Sequence, residues 1–173
     1  MIGFADFEAF LKASFPDMTD GMVERFRLMD AGYRDWNAKI NVISRKDIDS
    51  LYDHHVLHSL AIAEYLRTQR PEVYSMFTAP LQEGSVAPVS SSTNVNASRS
   101  GLRVLDLGTG GGFPGIPLAV MFPNVRFTLC DSVGKKTIVA REIANMLGLD
   151  NVEIVNARAE SLPGRFDFVV SRA

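Results

Sequence analysis

The feature that most constrains the fold is a glycine-rich stretch that directly follows a short apolar run. Residues 102–107 are apolar enough for a buried strand, residues 108–115 read Gly-Thr-Gly-Gly-Gly-Phe-Pro-Gly, and residues 114–122 suit a short helix. Glycines at such a junction let the backbone turn tightly and approach a ligand without a Cβ in the way. The N-terminus of the following helix would offer free amide donors and the positive end of its dipole. This strand, loop and helix therefore predict a nucleotide-like ligand.

Two ligands compete for this loop. Gly110, Gly112 and Gly115 match the dinucleotide pattern GxGxxG. Asp106 followed by Gly108, Gly110 and Gly112 instead matches the D-x-G-x-G-x-G loop of class I methyltransferases. A carboxylate at the end of the strand can organise the ammonium of S-adenosylmethionine, whereas a pyrophosphate gains nothing from it. The loop favours S-adenosylmethionine and leaves a nicotinamide dinucleotide as the alternative.

The later strands support the same preference. Asp131 follows the second predicted strand, residues 125–130, where a carboxylate can accept both ribose hydroxyls of either ligand. Residues 156–160 follow a third strand at 152–155, where class I methyltransferases place groups against the adenine. A fourth strand at 166–170 ends where their transferable methyl lies. The sequence offers no hydride-relay residue and no substrate domain, both of which a nicotinamide oxidoreductase needs.

The whole chain reads as an α/β protein with a helical N-terminal extension. We predict a helical segment over residues 1–70, a flexible linker or insertion over 71–100, and a Rossmann-like cofactor domain over 101–173. Strands that alternate with helices at 114–122 and 135–147 predict a parallel sheet. Pro, Ser, Asn, Thr and Gly dominate residues 80–101.

The N-terminal helices are predicted from apolar residues at helical spacing. Thr19 is the candidate N-cap of a second helix, and a third helix is expected over residues 53–70. The side chains expected to face the core are Phe4, Phe7, Phe10, Leu11, Met22, Phe26, Met29, Tyr33, Trp36, Val56, Leu60, Ala63 and Leu66.

Composition excludes several classes of protein. The longest apolar runs are too short to cross a bilayer, no secretory signal opens the sequence, and the single cysteine, Cys130, cannot form an internal disulfide. We therefore expect a cytoplasmic protein without a membrane partner. A net charge of −2 gives no support for nucleic-acid binding by the chain as a whole, so RNA contact needs a local patch.

The sequence resembles the RsmG (GidB) family of bacterial 16S ribosomal RNA guanine-N7 methyltransferases. Most specific is the run Gly-Phe-Pro-Gly-Ile-Pro-Leu-Ala that begins at Gly112. The resemblance spans most of the chain outside residues 80–100 and is carried by residues 36–43 (WNAKINVI), 55–60 (HVLHSL), 105–119 (LDLGTGGGFPGIPLA), 131–136 (DSVGKK) and 171–173 (SRA).

This resemblance implies an S-adenosylmethionine-dependent methyltransferase acting on 16S ribosomal RNA or the 30S subunit. The family's cofactor contacts would fall on Gly108, Phe113, Ala159, Glu160 and Arg172. Of these, Arg172 would lie near both the methyl donor and the RNA, which makes it the candidate positioning residue.

Two features depart from the family pattern. His58 stands where family members usually have Asp, so a polar contact of that helix differs. The family also continues through further strands after the fourth, so we expect a C-terminally truncated sequence with an incomplete sheet. A domain that binds S-adenosylmethionine without catalysis is therefore an alternative to an active enzyme.

Methylation at guanine N7 requires no general base, because N7 carries a lone pair and no proton. Catalysis would come from in-line positioning of the reactants and from a site that tolerates a cationic product. Accordingly, Cys130 is expected to be a packing residue. His54, His55 and His58 are not expected to bind a metal, because no further ligands stand at suitable spacing. The candidate RNA contacts are Lys39, Arg45, Lys46, Lys135, Lys136 and Arg172.

Overall fold

The computed structural model describes residues 2–80 and 101–172, whose centre is a parallel four-stranded sheet with strand order β3-β2-β1-β4. Leu105 of β1 pairs with Thr128 of β2 and with Val169 of β4, and Leu129 of β2 pairs with Ile154 of β3. All strands run the same way, so their carboxyl ends meet at one edge of the sheet. The strands are β1 (Arg103–Leu107), β2 (Arg126–Asp131), β3 (Val152–Asn156) and β4 (Phe168–Val170).

Six α-helices accompany these strands in the described part of the chain. A 3₁₀ turn at Ile48–Ser50 and a π-helical turn at Leu51–Val56 lead into the third of them. The helices are α1 (Phe4–Ser14), α2 (Asp20–Lys39), α3 (Leu57–Gln69), α4 (Pro71–Thr78), α5 (Gly115–Met121) and α6 (Gly134–Met146).

The N-terminal helices pack directly against the helices of the sheet. Helix α2 contacts α5 and α6, and α3 contacts α5. The Arg25 side chain of α2 donates to the carbonyls of Leu147 and Gly148, at 3.0 and 3.4 Å. These carbonyls lie just beyond the C-terminus of α6, where intrahelical donors run out. One hydrophobic core therefore extends from α1 to the sheet.

Most predicted elements are confirmed. Each strand lies within two residues of its predicted bounds, and the Thr19 hydroxyl accepts a hydrogen bond from the Met22 amide at 3.2 Å, as expected of an N-cap. The α/β class with a parallel sheet and a helical N-terminal part is confirmed as well. The division into a separate helical segment and cofactor domain stays a prediction.

Some predictions are wrong. The linker does not begin at residue 71, because Pro71–Thr78 form α4, whose Val73 and Phe77 are buried; residues 81–100 lie outside the described ranges. Phe10 was expected in the core but is 42% exposed.

No helix in the described ranges is both long enough and apolar enough to span a membrane.

Candidate functional site

The glycine loop leaves the carboxyl end of β1 and turns through left-handed backbone conformations. Gly108 has φ of 72° and Gly110 has φ of 58°, values that side-chain-bearing residues rarely adopt. A Cβ built on either residue would meet no described atom within 4 Å. Open space therefore borders the loop at these two positions, on backbone that only glycine adopts without strain.

Most of the loop's amides already donate hydrogen bonds within the protein. The amides of Gly108 and Thr109 both donate to the Cys130 carbonyl, at 2.9 and 3.1 Å. Those of Gly112 and Phe113 donate to the Thr109 carbonyl, and that of Gly110 to the Asp131 carboxylate. The prediction of free amide donors is wrong for these residues, and it fails at the helix N-terminus too, where the Gly115 amide donates to Asp106. Pyrophosphate recognition needs such donors, so this arrangement weighs against a dinucleotide.

Asp106, at the end of β1, is fully buried. Its Oδ2 accepts hydrogen bonds from the Thr109 hydroxyl at 2.6 Å and the Gly115 amide at 2.8 Å. Its Oδ1 is buried without a hydrogen-bond partner among the described residues. Burial raises the pKa of Asp106 to about 6, although both hydrogen bonds and the nearby Arg172 guanidinium lower it. An unfilled acceptor at this position suits a cationic ligand group.

Asp131, at the end of β2, turns toward the loop. Its Oδ2 accepts the Gly110 amide and its Oδ1 accepts the Val133 amide, both at 2.8 Å. The side chain is almost buried, and an ionised carboxylate offers about four lone-pair sites. Two sites are used here, so hydrogen-bonding capacity remains for the ribose hydroxyls that the sequence assigns to this residue.

The N-terminal helices form the back wall of the loop. The Tyr33 hydroxyl of α2 donates to the Gly111 carbonyl at 2.9 Å, and its ring stacks on Phe113 with centroids 4.7 Å apart. Val42 lies so close that a Cβ on Gly111 would come within 2.8 Å of it. Asn37 holds the turn that carries Val42, because its Oδ1 accepts the Val42 amide at 2.8 Å. The helical segment therefore packs directly against the loop.

Arg172 follows β4 and is held beside the loop. The preceding Ser171 hydroxyl donates to the Leu107 carbonyl at 2.9 Å, which ties the end of β4 to the end of β1. The Arg172 guanidinium lies over the Phe113 ring, 5.2 Å from its centroid, and its Nη2 is 3.1 Å from His55 Nδ1. Its Nη1 is buried and bonds to nothing in residues 2–80 and 101–172.

The sequence did not indicate the partners of Arg172. His55 Nε2 lies 2.6 Å from Asp47 Oδ2, and Asp47 Oδ1 lies 2.5 Å from His54 Nδ1. A chain of contacts thus runs from Asp47 through His55 to Arg172. The only sequence signal was that His55 falls within a family-like motif.

A cavity of about 310 Å³ opens next to Arg172, between α3, Pro114 and the residues that follow β4. Its walls are mostly apolar, and Tyr65 is 56% exposed. The lining residues are His58, Ala61, Ile62, Tyr65, Pro114, Ser171 and Arg172.

The remaining predicted site residues fall at the same edge of the sheet or on the surface. Ala159 and Glu160 form a 3₁₀ turn after β3, half-buried and exposed respectively. Cys130 is buried and its thiol donates to the Ala157 carbonyl at 3.2 Å, as expected of a packing residue. Phe113 is enclosed by Tyr33, His55 and Arg172, so its contact with a cofactor stays a prediction.

The candidate RNA contacts differ in their surroundings. Lys39 pairs with Asp35 at 2.7 Å and lies over the Trp36 ring. Arg45 and Lys46 are exposed in the turn before Asp47. Lys135 and Lys136 begin α6, close to the Asp131 turn. Within the described ranges, no group of three or more His, Cys, Asp or Glu side chains is arranged to hold a metal ion.

The residues present fit S-adenosylmethionine. Asp106 Oδ1 and Arg172 Nη1 are oppositely charged, buried and without hydrogen-bond partners in the described part of the chain, which suits the zwitterionic amino acid end of that molecule. The open space at Gly108 and Gly110, together with the Asp131 carboxylate, suits its adenosine end.

Comparison with known proteins gives one family. Residues 85–173 match the family model GidB, rRNA small subunit methyltransferase G. The chain is 49% identical over 159 residues to Ribosomal RNA small subunit methyltransferase G of Bacteroides fragilis, covering 92% of this chain and 63% of the relative. Porphyromonas gingivalis has a relative of that name, 49% identical over 92% of this chain and 58% of its own length. The one from Christiangramia forsetii is 44% identical over 94% of this chain and 63% of its own length. The chain thus spans about three fifths of these curated relatives.

Proposed function

The chain belongs to the rRNA small subunit methyltransferase G (GidB) family, and we propose that it methylates a guanine N7 of 16S ribosomal RNA using S-adenosylmethionine. The observation that carries this proposal is a pair of buried atoms at the carboxyl ends of β1 and β4, Asp106 Oδ1 and Arg172 Nη1, which have no hydrogen-bond partner among the residues that the structure describes. We also propose that it acts in the cytoplasm, where its substrate is made.

Different residues bind different parts of the cofactor. S-adenosylmethionine supplies an electrophilic methyl on a sulfonium. Asp106 binds the ammonium of its methionine end, and Arg172 donates to the carboxylate of that end. Asp131 accepts the ribose hydroxyls, and the turn at Ala159 and Glu160 lies against the adenine. Guanine N7 attacks without a general base, so these residues act by orientation, which lowers the entropic part of the barrier.

The cavity beside Arg172 accepts the target base. Its apolar walls and the exposed Tyr65 ring offer a surface on which an unpaired base can stack. Because Arg172 borders both this cavity and Asp106, a base held there is adjacent to the methyl donor. The assembled 30S subunit and naked 16S ribosomal RNA are both candidate substrates.

Calorimetric titration of the chain with S-adenosylhomocysteine and with NAD tests the cofactor assignment. We expect S-adenosylhomocysteine to bind and NAD to give no heat; binding of NAD alone would support the oxidoreductase alternative and refute the proposal. Asp131→Ala and the milder Asp131→Asn should weaken S-adenosylhomocysteine at least tenfold, because hydrogen bonds to a charged group contribute about 1.5–3 kcal/mol. Asp150→Ala, an exposed aspartate before β3 at the opposite edge of the sheet, is the matched control and should bind normally.

Transfer of a labelled methyl group to 30S subunits tests the activity. Label at a guanine N7 supports the proposal. Cofactor binding without any transfer would instead support the alternative that the chain is a binding domain only.

A further inference from the structure

His55 is one of the residues through which the N-terminal helical part contacts the glycine loop and Arg172. It lies on the π-helical turn before α3, only 14% of its side chain is exposed, and its ring contacts Phe113 with centroids 5.3 Å apart. Its two ring nitrogens face different partners, Arg172 at Nδ1 and Asp47 at Nε2.

The chemistry of these partners assigns the proton of the ring. A guanidinium can only donate hydrogen bonds, so His55 Nδ1 must carry a lone pair to accept from Arg172 Nη2. The proton therefore lies on Nε2, where it is donated to the Asp47 carboxylate. Neutral His55 in this one tautomer satisfies both neighbours; the other tautomer and the imidazolium each place a hydrogen against the Arg172 guanidinium.

We propose that His55, held by Asp47, is a positioning residue that directs Arg172 so that its Nη1 faces the bound cofactor. With Nη2 engaged by His55 and the guanidinium resting on Phe113, Nη1 is left as a buried donor that has no partner within residues 2–80 and 101–172. A histidine that is oriented by a carboxylate and acts in turn on a further group recurs at metal sites and in catalytic triads. The inference rests on the proposed function only for the identity of the ligand that Nη1 meets.

The groups facing His55 set its response to pH. Burial lowers the pKa of His55, the hydrogen bond to Asp47 raises it, and the charges of Arg172 and His54 lower it. Its net pKa lies below the ordinary value of about 6.5. Arg172 is therefore correctly held at neutral pH and released as the pH falls through the pKa of His55, when the imidazolium replaces the acceptor at Nδ1.

Nitrogen-15 NMR of the histidine rings tests the arrangement in the unmodified chain. We expect neutral His55 to carry its proton on Nε2. The pKa of His55 should rise in Arg172→Met, because a like charge is removed, and fall in Asp47→Asn, because the hydrogen bond to a carboxylate is lost. The proposal is overturned if neutral His55 carries its proton on Nδ1, or if the pKa of His55 is the same in Arg172→Met as in the wild type. Either result holds whether or not the chain methylates RNA.

Two isosteric variants separate positioning from packing. In His55→Asn the amide oxygen can stand where Nδ1 accepts from Arg172, whereas in His55→Gln the amide stands at the position of Nε2 and the acceptor is lost. We expect His55→Gln to weaken S-adenosylhomocysteine about tenfold near neutral pH. His55→Asn should stay within about threefold of the wild type and lose the part of the pH dependence that follows His55.

His54→Gln is the control, because His54 shares Asp47 but is mostly exposed and does not contact Arg172. It should bind S-adenosylhomocysteine as the wild type does. Equal affinity of His55→Gln and His55→Asn at all pH values would overturn the positioning role. By contrast, a wild-type chain that binds cofactor but transfers no methyl group would contradict the proposed function alone.

Discussion

Acidification should release the cofactor through protonation of Asp106. In the free protein burial raises the pKa of this carboxyl to about 6, and Oδ1 has no described partner. A bound methionine ammonium would favour the ionised form, so the pKa of Asp106 must fall on binding. Linkage then requires that cofactor binding releases a proton wherever Asp106 is protonated beforehand.

The size of the effect follows from the fraction of Asp106 that is ionised. With a pKa of about 6, roughly nine tenths of the carboxyl is ionised at about pH 7 and roughly one tenth at about pH 5. The affinity for S-adenosylhomocysteine should therefore fall about tenfold over this interval, with about half a proton released per binding event near pH 6.

Calorimetry in buffers of different ionisation enthalpy measures both quantities. Asp106→Asn should bind weakly at every pH and show little dependence on the buffer, since the titrating group is gone. His55→Asn should keep the proton release, which separates Asp106 from the other group that titrates near the site. An affinity that stays constant from about pH 7 to about pH 5, with buffer-independent heats, would refute the pairing of Asp106 with the ammonium.

The pKa of Asp106 also has a consequence for stability. Because the folded-state pKa lies above the ordinary aspartate pKa of about 3.9, the folded state binds more protons between about pH 4 and about pH 6. Stability of the cofactor-free protein should fall as the pH rises through this window, by up to about 3 kcal/mol. Thermal unfolding across this window, compared between wild type and Asp106→Asn, measures this contribution; equal pH slopes for the two proteins would exclude it.

Three further substitutions test individual contacts. Gly115→Ala should lower the melting temperature by about 5–10 °C, because the added Cβ would lie 2.6 Å from Asp106 Oδ2. The control Gly21→Ala, on the exposed face of α2, should be neutral or slightly stabilising. Equal melting temperatures of the two variants would contradict this prediction. Tyr33→Phe should cost about 1–3 kcal/mol in denaturant unfolding, because the buried Gly111 carbonyl loses its donor. Tyr65→Ala should raise KM for the RNA about tenfold, because base stacking is lost, while the affinity for S-adenosylhomocysteine stays the same. An unchanged KM would contradict the proposal that the target base binds in this cavity.

Local patterns in the sequence were enough to predict the elements of the sheet and the class of ligand. Short apolar runs that alternate with helical stretches locate the four strands, because strands and helices differ in the spacing of their apolar residues. Asp106 and Asp131 were predicted at the edge where ligands bind, because parallel strands share their carboxyl ends. Each of these inferences uses residues that are close in the sequence.

Only the tertiary structure decided how the loop and Arg172 are held. Sequence alone indicated free amides, but those of Gly108, Thr109 and Gly110 find their acceptors on β2, across a strand pairing that local pattern does not encode. His55 is separated from Arg172 by more than a hundred residues, and their contact depends on how the π-helical turn before α3 lies beside the residues that follow β4. Hydrogen bonds require agreement of distance and direction within a few tenths of an ångström. Such agreement depends on how the side chains pack in the folded protein, so composition and spacing do not predict it.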